Sequence, residues 1–92
     1  MADDTQTDTL REDIIRTVDN GRAVVANIAG TATDTSGDSH SFAGGHYISV
    51  TGYRDAGDQV RIADSANPNT AEYWLTTEDL ADWIATRGYS TS

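Results

Sequence analysis

No cysteine occurs among the 92 residues. They therefore hold no disulfide, no thiol nucleophile and no thiolate metal ligand. Lysine is missing too: the six basic residues are all Arg, set against fifteen Asp and Glu, for a net charge of -9. A surface of that sign repels phosphate backbones and argues against a nucleic-acid partner. The preference for Asp over Glu fits a GC-rich genome, in which lysine codons are rare, ahead of adaptation to salt. No apolar run is long enough to span a bilayer, and the start lacks the basic-then-apolar order of a secretory signal. Such a start fits a cytoplasmic protein, a mature form or a fragment with an initiator Met, which leaves the location open. Hydrophobic content of 37% and this length predict one domain with a thin core.

What is present divides into short elements. Residues 1–8 are polar and are expected to be a disordered tail. Thr9 to Asn20 reads as a helix: Thr9 caps it, Glu12 completes a capping box, and Leu10, Ile14, Ile15 and Val18 share a face. Asn20-Gly21 ends it. Residues 23–28 (Ala-Val-Val-Ala-Asn-Ile) read as a strand apolar on both faces and so central to a sheet. Residues 30–45 are rich in Gly, Ser, Thr and Asp without periodicity, and are expected to form a long loop.

Residues 46–64 carry the clearest signal. Ile48 and Val50, then Val60 and Ile62, alternate as two strands joined at Asp55-Ala56-Gly57-Asp58. Ser65-Ala66-Asn67-Pro68-Asn69 is a turn cluster, Glu72 to Leu75 a further strand, and Thr76 or Thr77 caps a last helix to about Thr86. The order predicts an α+β fold: a small antiparallel sheet flanked by an N-terminal and a C-terminal helix.

An antiparallel hairpin sets a histidine opening one strand, His46, beside an aspartate ending the other, Asp64. That pairing orients an imidazole for acid–base work. On the plainer reading His46 bonds a neighbouring carbonyl and Asp64 is a turn former. Glu72 is a second candidate to orient His46, and Asn67 also falls near. His40, His46, Asp34 and Asp38 match no recognised zinc spacing, and Asp55–Asp58 has too few ligands for calcium. No cofactor or metal is implied. The six residues Tyr47, Tyr53, Tyr73, Trp74, Trp83 and Tyr89 read as core and sheet-face aromatics.

The runs Gly21-Arg22-Ala23-Val24-Val25, Gly45-His46-Tyr47-Ile48-Ser49-Val50-Thr51-Gly52-Tyr53 and Ala63-Asp64-Ser65-Ala66 resemble the C-terminal half of the C39-like cysteine peptidases, relatives of papain. The resemblance spans Thr9 to Ser90, taken as one peptidase half-domain (9–90) with the sheet half of a papain-like fold. Ala23 and Ser65 stand where proline is common in the family. By this resemblance His46 is the general base that activates a thiol and Asp64 orients its ring. The nucleophilic cysteine and the glutamine of the oxyanion hole belong to the family's N-terminal half, so the resemblance implies a Cys-bearing partner segment, in the same precursor or a separate chain. Alone, the chain would be inactive. Relatives of this kind, bacterial or phage, cut leader peptides, proteins or the peptide cross-links of cell walls. Two readings of other classes stand beside it: a non-catalytic module binding peptide through residues 30–45 and the sheet edge, and a structural module that self-associates as a homo-oligomer.

Overall fold

A computed structural model describes residues 2–64 and 72–91. Its first helix, α1 (Asp4–Asp19), opens on a reciprocal capping box: Gln6 N–H donates to the Asp3 carboxylate and Asp3 N–H to the Gln6 side chain. The helix therefore starts well before Thr9, and residues 4–8 of the expected tail are helical. Two capping-box spellings compete here, Asp3-x-x-Gln6 and Thr9-x-x-Glu12. The first prevails because it buries Thr7 on the same face as Leu10, Ile14 and Thr17, while Ala2 N–H donates to Asp82 Oδ1 at 2.7 Å.

Five strands follow with a second helix among them: β1 (Val24–Thr33), β2 (Ser39–Arg54), β3 (Gln59–Ala63), β4 (Tyr73–Thr76), α2 (Thr77–Ile84) and β5 (Tyr89–Ser90). The sheet order is β4-β3-β2-β1-β5 with every neighbouring pair antiparallel. This is the expected α+β architecture. Alternation places Val24, Ala26 and Ile28 of β1, Ile48 and Val50 of β2, and Val60 and Ile62 of β3 in one core with Leu10 and Ile14 of α1 and Leu80, Trp83 and Ile84 of α2. Tyr53 Oη donates to Asp19 and Tyr89 Oη to Asp13, each at 2.6 Å, fastening α1 to β2 and β5. Between β2 and β3 a 3₁₀ turn, Asp55–Gly57, passes under α1. Gly57 has φ +89°, and a Cβ there would meet Arg11 Cγ and Ile15 Cδ1, each at 2.7 Å. Only glycine fits.

Two expectations are corrected. Residues 30–45 are not a loop: β1 runs on to Thr33, a turn occupies 34–38, and β2 begins at Ser39. The alternation is there, with Thr31, Thr33, Ser39 and Ser41 on one face and Ala32, His40 and Phe42 on the other. Hydroxyl residues and alanine simply give it a weak hydrophobic signature. Nor is β1 apolar on both faces at the sheet centre. Its second neighbour is the two-residue β5, and Val25 is 40% exposed. The expected Ser65–Asn69 turn, with Asn67, lies outside the described residues.

The long hairpin is bent. Between the pairs Ile28↔His46 and Gly30↔Phe42, β1 advances two residues while β2 advances four. Extra residues on one strand bend it and sharpen its twist. The outcome is visible at the hairpin tip, where Thr35 N–H donates to the Trp74 carbonyl of β4 at 2.8 Å. In a flat sheet this could not occur. Tyr73 is in register with Val50 through Ile62, and His40 lies ten residues down β2 from Val50, roughly 33 Å at strand spacing. The bulge folds the tip back over the sheet end and closes a curved wall.

Candidate active site

The wall encloses the residues that carry chemistry. Ser49↔Ala63 is the last pair of β2 with β3, so Asp64 emerges across from Ile48, on the core face and one same-face step from His46. His46 Nε2 lies 2.7 Å from Asp64 Oδ1, with side-chain exposures of 20% and 8%. A carboxylate only accepts hydrogen bonds, so Nε2 carries the proton of the neutral ring. Nδ1 is then the lone pair open to a proton. The pairing read from the hairpin is thus formed in the fold.

Phe42 fixes the ring from its flat side. The two centroids are 4.2 Å apart with 12° between planes. Four residues of regular strand span roughly 13 Å, so this stack exists because of the bulge at 43–45. Within that bulge Gly45 has φ +92°, the left-handed region, and hands the chain to His46 at the angle the stack needs. Trp83 of α2 stands behind Phe42 at 6.1 Å and donates its indole N–H to the Gly30 carbonyl at 3.0 Å.

A second histidine–aspartate pair sits at the hairpin tip. His40 Nε2 lies 2.7 Å from Asp34 Oδ2, with exposures of 19% and 4%. The other Asp34 oxygen accepts from Ser36 N–H and Asp38 N–H. The hydrogen bond with His40 holds the Asp34 carboxyl below the usual carboxylate range; the two backbone donors add to this, and burial opposes it. His40 lies flat on Tyr73 of β4, centroids 3.7 Å apart and planes 9° apart. Burial pushes the Tyr73 phenol up to about 12, and the negative charges of Asp64 and Asp34 add to the rise.

The other candidates separate from this site. Glu72 accepts from Thr51 Oγ1 at 2.9 Å and lies 3.3 Å from Arg61 Nε, so it does not orient His46. Asp34 pairs with His40 and His46 with Asp64, and the described residues contain no group of three or more His, Cys, Asp or Glu able to hold a metal ion. Asp55–Gly57 is a turn beneath α1. A largely apolar cavity of about 390 Å³ opens between α1 and α2, lined by Leu10, Ala81, Ile84 and Tyr89 among others, and none of the paired residues lines it.

Sequence reasoning did not single out Phe42 or the pairing of His40 with Asp34, and it placed Tyr73 only as a core aromatic. One signal was available: Asp34 and His40 flank a Ser36-Gly37 turn as diagonal neighbours, His40 opposite Ala32 and Asp34 opposite Asp38.

In comparisons with known proteins, a model of the Peptidase_C39 like family matches residues 1–91. No curated protein and no solved structure matches the chain.

Proposed function

Because the chain belongs to the Peptidase_C39 like family, we propose that its peptidase-related function is to supply the histidine–aspartate part of a cysteine-peptidase site. His46 acts as base and acid, and Asp64 orients it. The observation that carries this reading is the 2.7 Å contact of His46 Nε2 with Asp64, which leaves Nδ1 to face a reacting group. The 92 residues contain no cysteine, so the thiol comes from chain beyond them, on the same polypeptide or on another. In the assembled site Nδ1 takes the thiol proton and the thiolate attacks the peptide carbonyl. The imidazolium then gives that proton to the leaving amine as the C–N bond breaks. Water, deprotonated by the same nitrogen, hydrolyses the thioester. The oxyanion donors accompany the thiol segment. The substrate is a peptide, a protein or a cell-wall peptide cross-link.

The test joins a Cys-bearing segment of a Peptidase_C39 like relative to this chain, fused or in trans, and assays fluorogenic and cross-linked wall peptides. Iodoacetamide-sensitive hydrolysis that disappears in His46→Ala is expected. Full activity of His46→Ala would sink the assignment.

A second reading rests on the outer sheet face, where Tyr47 is 61% and Val25 40% exposed. On that reading the chain is a peptide-binding or self-associating module. Sedimentation across a hundredfold range of concentration separates the two, because an unchanging monomer without peptide affinity removes this alternative.

A further inference from the structure

Tyr73 occupies a position where phenylalanine would serve the core equally well. The residue is 9% exposed and its ring stacks on His40, and neither role uses the hydroxyl. Yet the hydroxyl oxygen is buried and has no hydrogen-bond partner among the described residues. Burying an unpaired donor costs stability, so the group calls for a use.

The register indicates one. Tyr73 pairs with Ile62 across β3 and β4, and Asp64 lies two residues beyond Ile62 on the same face. Diagonal neighbours of that kind are within reach of an aromatic side chain. We infer that Tyr73 is a positioning residue for the His46–Asp64 pair, its hydroxyl donating to the Asp64 carboxylate through one bridging water, and that the His40–Asp34 pair exists to hold the Tyr73 ring in place.

Each link of this relay is fixed by the one before it. The 34–38 turn grips Asp34 by two backbone N–H groups, Asp34 grips His40, and His40 lies flat on Tyr73. The charges around the hydroxyl agree with a donor role. Burial first, and then the charges of Asp64 and Asp34, raise the phenol further above its ordinary value, so the hydroxyl holds its proton firmly. Asp79 and Asp82 of α2 line a cavity with Ala29, Thr31 and Thr33 that Tyr73 does not line. A carboxylate accepts several hydrogen bonds at once, so Tyr73 competes with none of the other partners of Asp64.

The inference rests on His46–Asp64 being the functional pair, but its test does not need activity. In the ¹⁵N-labelled chain, the His46 Nε2 proton held by Asp64 is followed by NMR for its exchange with water. Tyr73→Phe keeps the stack and removes only the donor. The expected result is exchange faster by about tenfold or more, as loss of a hydrogen bond to a charged group predicts, with far-UV CD unchanged. Exchange within twofold of wild type overturns the inference. Should Tyr73→Phe not fold, the wild-type chain decides: a slowly exchanging Tyr73 hydroxyl proton with a cross-peak to a bound water supports the role, and a hydroxyl proton that exchanges too fast to be observed overturns it. In the reconstituted peptidase, Tyr73→Phe lowers kcat with KM unchanged. A reconstituted enzyme that never hydrolyses peptide would count against the proposed function and leave the NMR result standing.

Discussion

Gly44 and Gly45 are neighbours in the bulge that sets the angle of His46, and alanine at the two positions should behave in opposite ways. At Gly45 the backbone has φ +92°, and a Cβ would fall 2.1 Å from Arg87 Nη2. Holding a non-glycine residue in the left-handed region costs about 1–2 kcal/mol. The clash itself is cheap, because the Arg87 guanidinium is the far end of an exposed, flexible chain. Moving it breaks the Nε to Asn27 Oδ1 bond of 3.1 Å, an exposed contact worth about 0.5 kcal/mol. The sum is about 2 kcal/mol, which lowers Tm by about 8–16 °C for a domain of this size. At Gly44 nothing lies within 4 Å of an added Cβ and φ is not positive. Gly44→Ala should therefore leave Tm within about 3 °C, or raise it slightly by restricting the unfolded chain. Thermal unfolding by far-UV CD, with urea titration as a second measure, reads both variants. The local consequence is read separately: in Gly45→Ala the Phe42–His46 stack loosens, and the ring-current shift of the His46 protons shrinks. Equal stability of the two variants would refute the assignment of the bulge as a strained, glycine-dependent element.

The other expectations concern the site and its walls. In the reconstituted peptidase, Asp64→Ala lowers kcat by about a hundredfold with little change in KM, whereas Glu72→Ala, on Thr51 and Arg61, stays within twofold; the reverse order would move the orienting role to Glu72. Asp34 binds its proton less readily folded than unfolded, so its contribution to stability is complete above its ordinary value of 3.8 and fades as pH falls through the lower folded value. Urea midpoints between pH 2 and 6 should accordingly fall less steeply on the acid side in Asp34→Asn than in wild type, and parallel curves would contradict this. Trp83→Phe strips the Gly30 carbonyl of its indole donor and leaves a small void, costing about 2 kcal/mol by urea titration; a loss below about 0.5 kcal/mol would mean that the contact is not made.

The sequence exposes those parts of the fold whose pattern is apolar and local. Ile48, Val50, Val60 and Ile62 alternate cleanly, so the hairpin and the approach of His46 to Asp64 follow from register alone. The distal half of the β1–β2 hairpin is hidden because Thr, Ser and Gly fill its exposed positions and its inner face is made of Ala32, His40 and Phe42 rather than branched aliphatics. The start of α1 is hidden by a second capping box placed beside the first apolar stripe. The strand β5 is two residues long and is recruited by Val25 and Ala26, which no local pattern announces. The contacts of His40 with Tyr73 and of Phe42 with His46 depend on a bend in one strand. Its mark in the sequence is the glycine pair before His46, and glycines alone do not tell a bulge from a turn.

The seam between hairpin tip and β4 has a bearing on how the molecule folds and opens. Residues 35 and 74 meet there through one backbone hydrogen bond, with a single ring stack beside it. The hairpin itself closes locally, but the seam must wait until β3 and β4 have come home, which makes it a late contact bridging distant stretches of chain. With so little holding it, the seam is also the natural place for partial opening short of global unfolding. The Thr35 amide should then exchange with solvent well ahead of those in the centre of β2. Access to the stacked face of His40 would be set by that partial opening, on a faster clock than the stability of the whole domain.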